Sequence, residues 1–405
     1  MSAKRKLLGQ FYTKDVLSEL MAEKVYNLAD GQSVSAAVDF AAGEGALLEP
    51  ISRLFPSAKI HAFDLDKENI DLLQKKIPLI TAELGDSTLL PQSVYHNKFT
   101  IAVGNPPFIN TILNRETAAY INKTFGTKNA RKGMSFRAEV AFIAIYLNSV
   151  KEGGIVSLIL PESIVSGGTF KYVRNTLLLS LSDLSVLKIE RNAFSGAEVD
   201  TYLVTGIKNQ NNDDVFVNVG CTKNGDIIDQ VGISKVAALI RMDYKYAVSK
   251  ELIDNLSKRY KSVGEVLGVI TRGQRTKQQL DSANESFFHS TCFKENQPNS
   301  TKLEGKYSDL EHHPKNWIAK KNDVLIPRVG KRCHLDQCVV SNGAAVITDS
   351  ILKIRVNSER LSLMIYETLF SDAGKAWRNA HTKGSCTKLL SQTDMLQLPI
   401  IGLPR

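Results

Sequence analysis

A chain of 405 residues is longer than one hydrophobic core ordinarily fills, so two domains are expected. Its formal net charge of +9 is unevenly spread: residues 1–240 hold 25 basic and 25 acidic side chains, residues 241–405 hold 26 and 17. All of the excess lies in the C-terminal part, and a localised positive field is what a polyanion-binding surface requires. No apolar run of roughly 18 residues occurs, which excludes a membrane-spanning helix, and no apolar core of signal-peptide length follows the basic first residues. Cys221, Cys292, Cys333, Cys338 and Cys386 lack C-x-x-C spacing, and free thiols without an export signal give a cytoplasmic expectation.

In chain order, residues 35–40 read as a short buried strand that runs into Ala41-Ala42-Gly43-Glu44-Gly45-Ala46 and then into a helical pattern over 47–54. Gly43 and Gly45 let the backbone turn tightly and approach a ligand that a side chain would exclude, at the start of that helix. The next strand, 59–63, ends in Asp64-Leu65-Asp66, about 20 residues after the glycines, where a carboxylate can take both hydroxyls of a ribose. The third glycine of a dinucleotide site is missing and no G-x-x-x-x-G-K-[ST] occurs. A cofactor with a ribose and no phosphate fits best.

Strand 100–103 leads into Asn105-Pro106-Pro107-Phe108. An amide on a rigid turn, followed at once by an aromatic ring, can hold a planar amine-bearing group: the amide oxygen accepts from the NH2 while the ring stacks. That is a site for methylating an exocyclic amine. Ordinary turn chemistry also places Asn-Pro-Pro after a strand; the cofactor pattern upstream favours the functional reading. Residues 109–137 then carry Arg115, Lys123, Lys128, Arg131, Lys132 and Arg137 against the single acid Glu116. They are expected to form a basic loop that grips DNA and orders on binding, with Arg131 and Lys132 among its contacts. A helix over 138–150 and strands at 155–160, 185–189 and 202–207 continue the alternation. This predicts an α/β fold with a Rossmann-like, mainly parallel sheet that binds ligands at the carboxyl ends of its strands. A C-terminal α+β domain follows, the division falling at 1–240 and 241–405.

The C-terminal part holds two basic clusters, Thr271-Arg272-Gly273-Gln274-Arg275-Thr276-Lys277 and Arg328-Val329-Gly330-Lys331-Arg332. Arg reads guanine, Gln reads adenine, and Gly lets backbone approach phosphate, so Arg272, Arg275, Lys277, Arg328, Lys331 and Arg332 are candidate DNA contacts. His312-His313 beside Glu311 reads as an exposed loop pair, and no metal is expected.

Together these segments resemble the S-adenosylmethionine-dependent amino-methyltransferases of DNA, with their D-P-x-x-G-x-G loop and [DNS]-P-P-[YF] motif. Asp39 to Gly45 stands as Asp-Phe-Ala-Ala-Gly-Glu-Gly, with Phe40 where proline is usual. Gly9-Gln10-Phe11-Tyr12-Thr13-Lys14 is similar to the family's amino-terminal cofactor segment, with Lys14 in place of proline. The resemblance implies S-adenosylmethionine contacts from Tyr12, Thr13, Asp39, Ala41, Gly43, Gly45, Asp64 and Asn105. It further implies an adenine contact from Asp86, within Gly85-Asp86-Ser87, and a second aromatic contact to the target base from Phe194. Residues 153–161 resemble the strand after the catalytic helix. The order of these elements is the gamma type, which implies adenine N6 as acceptor, and the Asn in Asn105-Pro-Pro points the same way; cytosine N4 is the alternative. Residues 322–330, 344–356 and 384–399 look like target-recognition domains of restriction-modification specificity subunits.

The expected activity is therefore methylation of an adenine swung out of double-stranded DNA, with Asn105, Pro106, Pro107 and Phe108 catalytic and Phe108 and Phe194 stacking on the base. A cognate restriction endonuclease would act separately. An amino-methyltransferase of RNA or of a protein glutamine, and a specificity protein without activity, are the alternatives.

Overall fold

The computed structural model describes residues 15–89, 92–190, 200–209, 213, 216–283, 285–293, 300–384 and 387–405, and the chain divides into two compact units, Met1–Ala247 and Val248–Arg405. In the first unit, strands β1 (Ala36–Asp39), β2 (Lys59–Asp64), β3 (Thr81–Leu84) and β4 (Phe99–Gly104) are followed by a small pair, β5 (Asn110–Ile112) and β6 (Ser135–Arg137). Then come β7 (Val150–Pro161), β8 (Leu181–Lys188), β9 (Thr201–Lys208), β10 (Phe216–Lys223) and β11 (Asp226–Ser234). Nine of these form one sheet in the order β11-β10-β8-β9-β7-β4-β1-β2-β3. Its pairings from β3 through β7 are all parallel. Only β9 and β11 run against their neighbours. The α/β, mainly parallel sheet expected from the alternation is thus what forms.

Strand β4 shows why the pattern works. Its six residues, FTIAVG, are all buried, as a central parallel strand covered on both faces requires. Alternate residues feed opposite cores: Val38 and Ala102 join one cluster, Ala37, Ile101 and Val103 the other. Helices α1 (Asp15–Ala29), α2 (Leu48–Leu54), α3 (Lys67–Lys76), α4 (Arg115–Phe125), α5 (Ala138–Ser149) and α6 (Lys171–Ser180) supply most of the covering layers. From β1 the chain steps through β2 and β3 to one side, and from β4 to the other. The strand order therefore reverses between β1 and β4, which opens a crevice at their carboxyl ends.

Residues 109–137 differ from expectation. They are not a loop but the β5/β6 pair enclosing α4. Helix α4 buries Thr117, Ala118, Ile121 and Phe125 on one face; Asn114 caps it by accepting from the Thr117 N–H at 2.7 Å, and left-handed Gly126 ends it. An amphipathic stripe with both end signals outweighs the solvated charges on the other face.

In the second unit, β13 (Val269–Arg272), β15 (Ser300–Lys302), β17 (Val324–Pro327), β18 (Cys338–Asn342) and β20 (Ile351–Arg355) form a sheet in the order β13-β20-β17-β18-β15. A three-stranded sheet, β14 (Phe287–Phe288), β19 (Ala344–Ile347) and β16 (Ile318–Lys320), lies in the order β14-β19-β16. The unit also holds α7 (Lys277–Ser282), α8 (Glu359–Phe370) and α9 (Asp372–His381), and β12 (Tyr260–Ser262) pairs with β21 (Pro399–Pro404). The apolar stretch 344–356 is two strands divided at Thr348-Asp349-Ser350. Among the described residues no helix is long and apolar enough to cross a membrane.

Candidate active site and nucleic-acid surface

The crevice between β1 and β4 is a cleft of about 1000 Å³, solvent mouth included, enough for a nucleoside-sized ligand. It is lined by Asp39, Ala41 and Gly43 after β1, Asp64 at the end of β2, Asp86 after β3, and Asn105 and Pro107 after β4. Four strand ends thus bring together residues spread over 69 positions of sequence. Gly45, Pro106 and Phe108 do not line it. Phe108 is half-buried and rests on the core cluster that contains Ile101 and Val103. Tyr12, Thr13 and Phe194 lie outside the described residues.

The glycine loop is held from both sides. Asp64 Oδ2 accepts from the Gly43 N–H at 2.8 Å, while its Oδ1 accepts from the Asp66 N–H at 2.8 Å and from Asn69 Nδ2 at 3.0 Å. Gly43 and Gly45 both have positive φ, and a Cβ on Gly45 would come within 2.5 Å of the Leu73 side chain. Gly45 therefore serves the close packing of the loop on α3. Asp86 Oδ1 accepts from the Thr88 N–H at 2.9 Å and Thr88 Oγ1 at 2.7 Å, and Ser87 Oγ donates to the Phe40 carbonyl at 2.6 Å. The β3 turn is thereby tied to the start of the glycine loop.

A residue outside the sequence-level candidates completes the support. Tyr146, within the buried helix α5, donates from Oη to Asp39 Oδ1 at 2.6 Å and accepts from the Phe40 N–H at 3.1 Å. Its ring passes where a side chain at position 104 would stand: a Cβ on Gly104 would meet Tyr146 Oη at 2.1 Å. Phe40, the departure from the family's proline, is explained here. Its amide is a donor that proline lacks, and its ring stacks on Phe63 at 5.2 Å and meets Tyr95, Phe99 and Tyr146 edge-on. Burial lifts the Asp39 carboxyl to about 7, against the Tyr146 and Ala41 hydrogen bonds that pull it down. The available signal was a lone phenol in the run AEVAFIAIYLNS, since a buried tyrosine needs a partner for its hydroxyl.

Residues 12–194 match the family model of the Eco57I restriction-modification methylases. No curated protein matches. Among solved structures, the type IIG restriction endonuclease BpuSI is similar at a TM-score of 0.52 with 15% identity, over 96% of this chain and 59% of that one. A type I restriction-modification methyltransferase subunit from Streptococcus thermophilus matches at 0.45 and 18% identity, over 52% and 47%. A modification subunit of a putative type I restriction enzyme from Vibrio vulnificus YJ016 matches at 0.44 and 14%, over 54% and 48%. The chain spans about half to three fifths of the length of these proteins. The likeness to BpuSI is one of fold.

In the second unit the two basic clusters meet at one end of the five-stranded sheet. Arg272 pairs with Leu352 and Pro327 with Ile351, so Arg272 and Arg328 emerge on either side of β20. Arg328 is half-buried; desolvation, and then the charge of Arg272, lower its pKa, and its Nη1 reaches the Asp349 carbonyl at 3.4 Å. Lys277 and Lys331 are exposed, as are Arg131 and Lys132 in the first unit. Arg332 is engaged by Asp336 at 2.8 Å, and Arg275 by Glu285 at 3.4 Å. Gly273 is buried where a Cβ would collide with the Ile347 carbonyl, so it packs the protein interior rather than clearing a path for phosphate.

Of the histidine pair, His312 is exposed as expected and His313 is not. His313 is only 6% exposed, and its Nε2 lies 2.7 Å from Glu285 Oε2. The carboxylate beside it comes from Glu285, not from Glu311, because the 307–317 segment folds back on the start of β14.

Proposed function

We propose that the protein is a site-specific DNA methyltransferase that transfers the methyl group of S-adenosylmethionine to adenine N6 of an extruded base, as the modifying partner in a restriction-modification system. The observation that carries this reading is the convergence of the glycine loop, Asp64, Asp86, Asn105 and Pro107 in one cleft. It is supported by the match of residues 12–194 to restriction-modification methylases and by the positive excess of residues 241–405.

The cleft suits the cofactor. A Cβ on Gly43 would meet nothing within 4 Å, so a ligand can approach the backbone there, and four carboxylates, Asp39, Glu44, Asp64 and Asp86, border the space. Asp64 would take the ribose hydroxyls and Asp86 the adenine amine, with Ala41 contributing from the glycine loop and Tyr12 and Thr13 from the amino-terminal segment. When bound, the cofactor supplies an electrophilic methyl group. The chain's own residues then position the acceptor. Asn105 Oδ1 and the Pro106 carbonyl would accept the two N6 protons, draw the amine out of the ring plane and aim its lone pair. Pro106 and Pro107 hold that geometry stiffly, and positioning of this kind does most of the catalytic work. Extruding the base costs a few kcal/mol, which stacking on Phe108 and Phe194 would offset by roughly 1–3 kcal/mol per ring. Arg131, Lys132, Arg272, Arg275, Lys277, Arg328, Lys331 and Arg332 would supply phosphate and base contacts on double-stranded DNA.

Incubating the chain with methyl-labelled S-adenosylmethionine and duplex DNA, tRNA or protein side by side tests this. Label should appear on DNA as N6-methyladenine, and Asn105→Ala should abolish it while cofactor binding persists. Label confined to tRNA or protein, N4-methylcytosine in the DNA, or an active Asn105→Ala variant would each overturn the assignment.

A further inference from the structure

We infer that Glu285, His312 and His313 in the second unit form a binding site for a single first-row divalent cation such as Zn2+. Glu285 immediately precedes β14, and the two histidines precede β16. Both strands pair with β19, Phe287 and Ile318 meeting the same residue, Val346, from opposite sides. One carboxylate oxygen and one ring nitrogen from each histidine lie within 4.8 Å of one another, with Glu285 supplied by one flank of the small sheet and the histidines by the other.

The contacts within the cluster are better met by a cation than by a salt bridge. His313 Nε2 and Glu285 Oε2 are 2.7 Å apart and both are buried, yet neither atom has a hydrogen-bond partner. Buried polar atoms without directional partners call for a compensating ligand. His312 Nε2 stands 3.9 Å from the other carboxylate oxygen, and the two imidazole rings are tilted at 44° with centroids 4.1 Å apart. Two imidazoles thus address one carboxylate. An ion pair would occupy one of them; a divalent cation is coordinated by all three groups at once. Two imidazoles and a carboxylate are a donor set that Zn2+ favours, at about 2.0–2.2 Å per bond. Seating it needs Glu285 to withdraw from His313 by roughly half an ångström. Arg275 is the other cation facing Glu285, at 3.4 Å, and its side chain is 42% exposed, free to turn towards solvent.

A cation here would cross-link the two flanks of the three-stranded sheet. Beneath the site the buried apolar cluster is small, comprising Leu280, Leu310, Ile318, Ala344 and Val346. The site would therefore raise the stability of the three-stranded sheet, and His312, with 61% of its side chain exposed, leaves a coordination position open to water.

The test uses the full chain, stripped with a chelator, dialysed and titrated with ZnCl2 by calorimetry, with thermal melts in parallel. Expected are one Zn2+ per chain, a higher melting temperature with the metal, and affinity at least roughly tenfold weaker in His312→Ala. Because His312 is exposed, that variant should keep the metal-free melting temperature. Glu285→Gln should also lose the zinc-dependent rise. Absence of stoichiometric zinc, or equal affinity in wild type and His312→Ala, as a cysteine-held ion would give, overturns the inference.

Discussion

Replacing Tyr146 by phenylalanine removes one oxygen atom and tests how the glycine loop is held. That oxygen donates to Asp39 Oδ1 at 2.6 Å and accepts from the Phe40 N–H at 3.1 Å, all within the buried core. Losing the bond to the carboxyl costs about 1 kcal/mol if Asp39 is neutral and roughly 1.5–3 if it is ionised. Leaving the Phe40 amide without an acceptor adds roughly 1–3 kcal/mol. The first unit should therefore lose about 2–6 kcal/mol, seen as a lower urea midpoint at unchanged slope. The pH dependence adds a sharper signature. Burial raises Asp39 from its ordinary 3.8 to about 7, and the Tyr146 bond is the largest influence opposing that rise; removing it pushes the value higher. A carboxyl with a raised folded pKa contributes stability that is fully present below its unfolded value and is lost as pH rises through the folded one. Wild type should thus weaken between about pH 4 and pH 7, whereas Tyr146→Phe should go on weakening above pH 7. The gap between the two should be constant up to about pH 6 and widen from there to about pH 8. A constant gap between about pH 6 and pH 8, or superimposed midpoints, would mean that the phenol does not hold the loop through Asp39.

Asp64→Ala removes the acceptor of the Gly43 N–H as well as the proposed ribose contact, so its dissociation constant for S-adenosylmethionine, measured by calorimetry, should rise at least roughly tenfold, the worth of a charged hydrogen bond; an unchanged constant would reject both roles. Gly45→Ala meets Leu73 at 2.5 Å from a backbone at φ +85° and should destabilise by roughly 1–3 kcal/mol, visible as a lower melting temperature. Arg272→Ala and Arg328→Ala should each reduce the slope of log affinity for DNA against log salt by about 1. Arg332→Ala should change that slope less, since Asp336 already engages its guanidinium.

The fold of the first unit was largely legible because its signals are local. Short β-rich runs bounded by turns mark β1, β2, β4 and β7, and the carboxyl ends of successive strands follow from the alternation itself. Boundaries were not: β7 begins at Val150, ahead of Gly153 and Gly154, because Val150 already pairs with Phe99 of β4 before an irregularity in register that the glycines occupy. Of the cleft, the residues within motifs were readable, and the contact that braces them was not. Tyr146 lies 107 positions from Asp39, and no spacing rule links a phenol in a buried helix to a turn that far away. Helix α4 was missed for a different reason. Its cap, Asn114, and its terminator, Gly126, were present in the sequence, but the six basic residues of 109–137 were weighed as a property of the whole segment rather than of one helix face. The pairing of His313 with Glu285 likewise needed β19 to bring two distant segments to either side of one strand.

Arg272 and Arg328 show why charge counts alone locate a surface poorly. The positive excess of residues 241–405 is shared among many side chains, and several, such as Arg275, Arg332 and Arg355, face carboxylates of the same unit. These contribute little field to a passing polyanion. At the end of β20 two guanidiniums are instead held beside one another by strands on either side, with Asp349 as the nearby opposing charge. Holding like charges together and partly out of water raises the energy of the free protein. An anion placed between them removes that repulsion, so the strain of the empty site becomes affinity when phosphate or a guanine edge arrives. Strands on either side of β20 thus bring two guanidiniums together, and that pair is the place where the proposed DNA surface would grip.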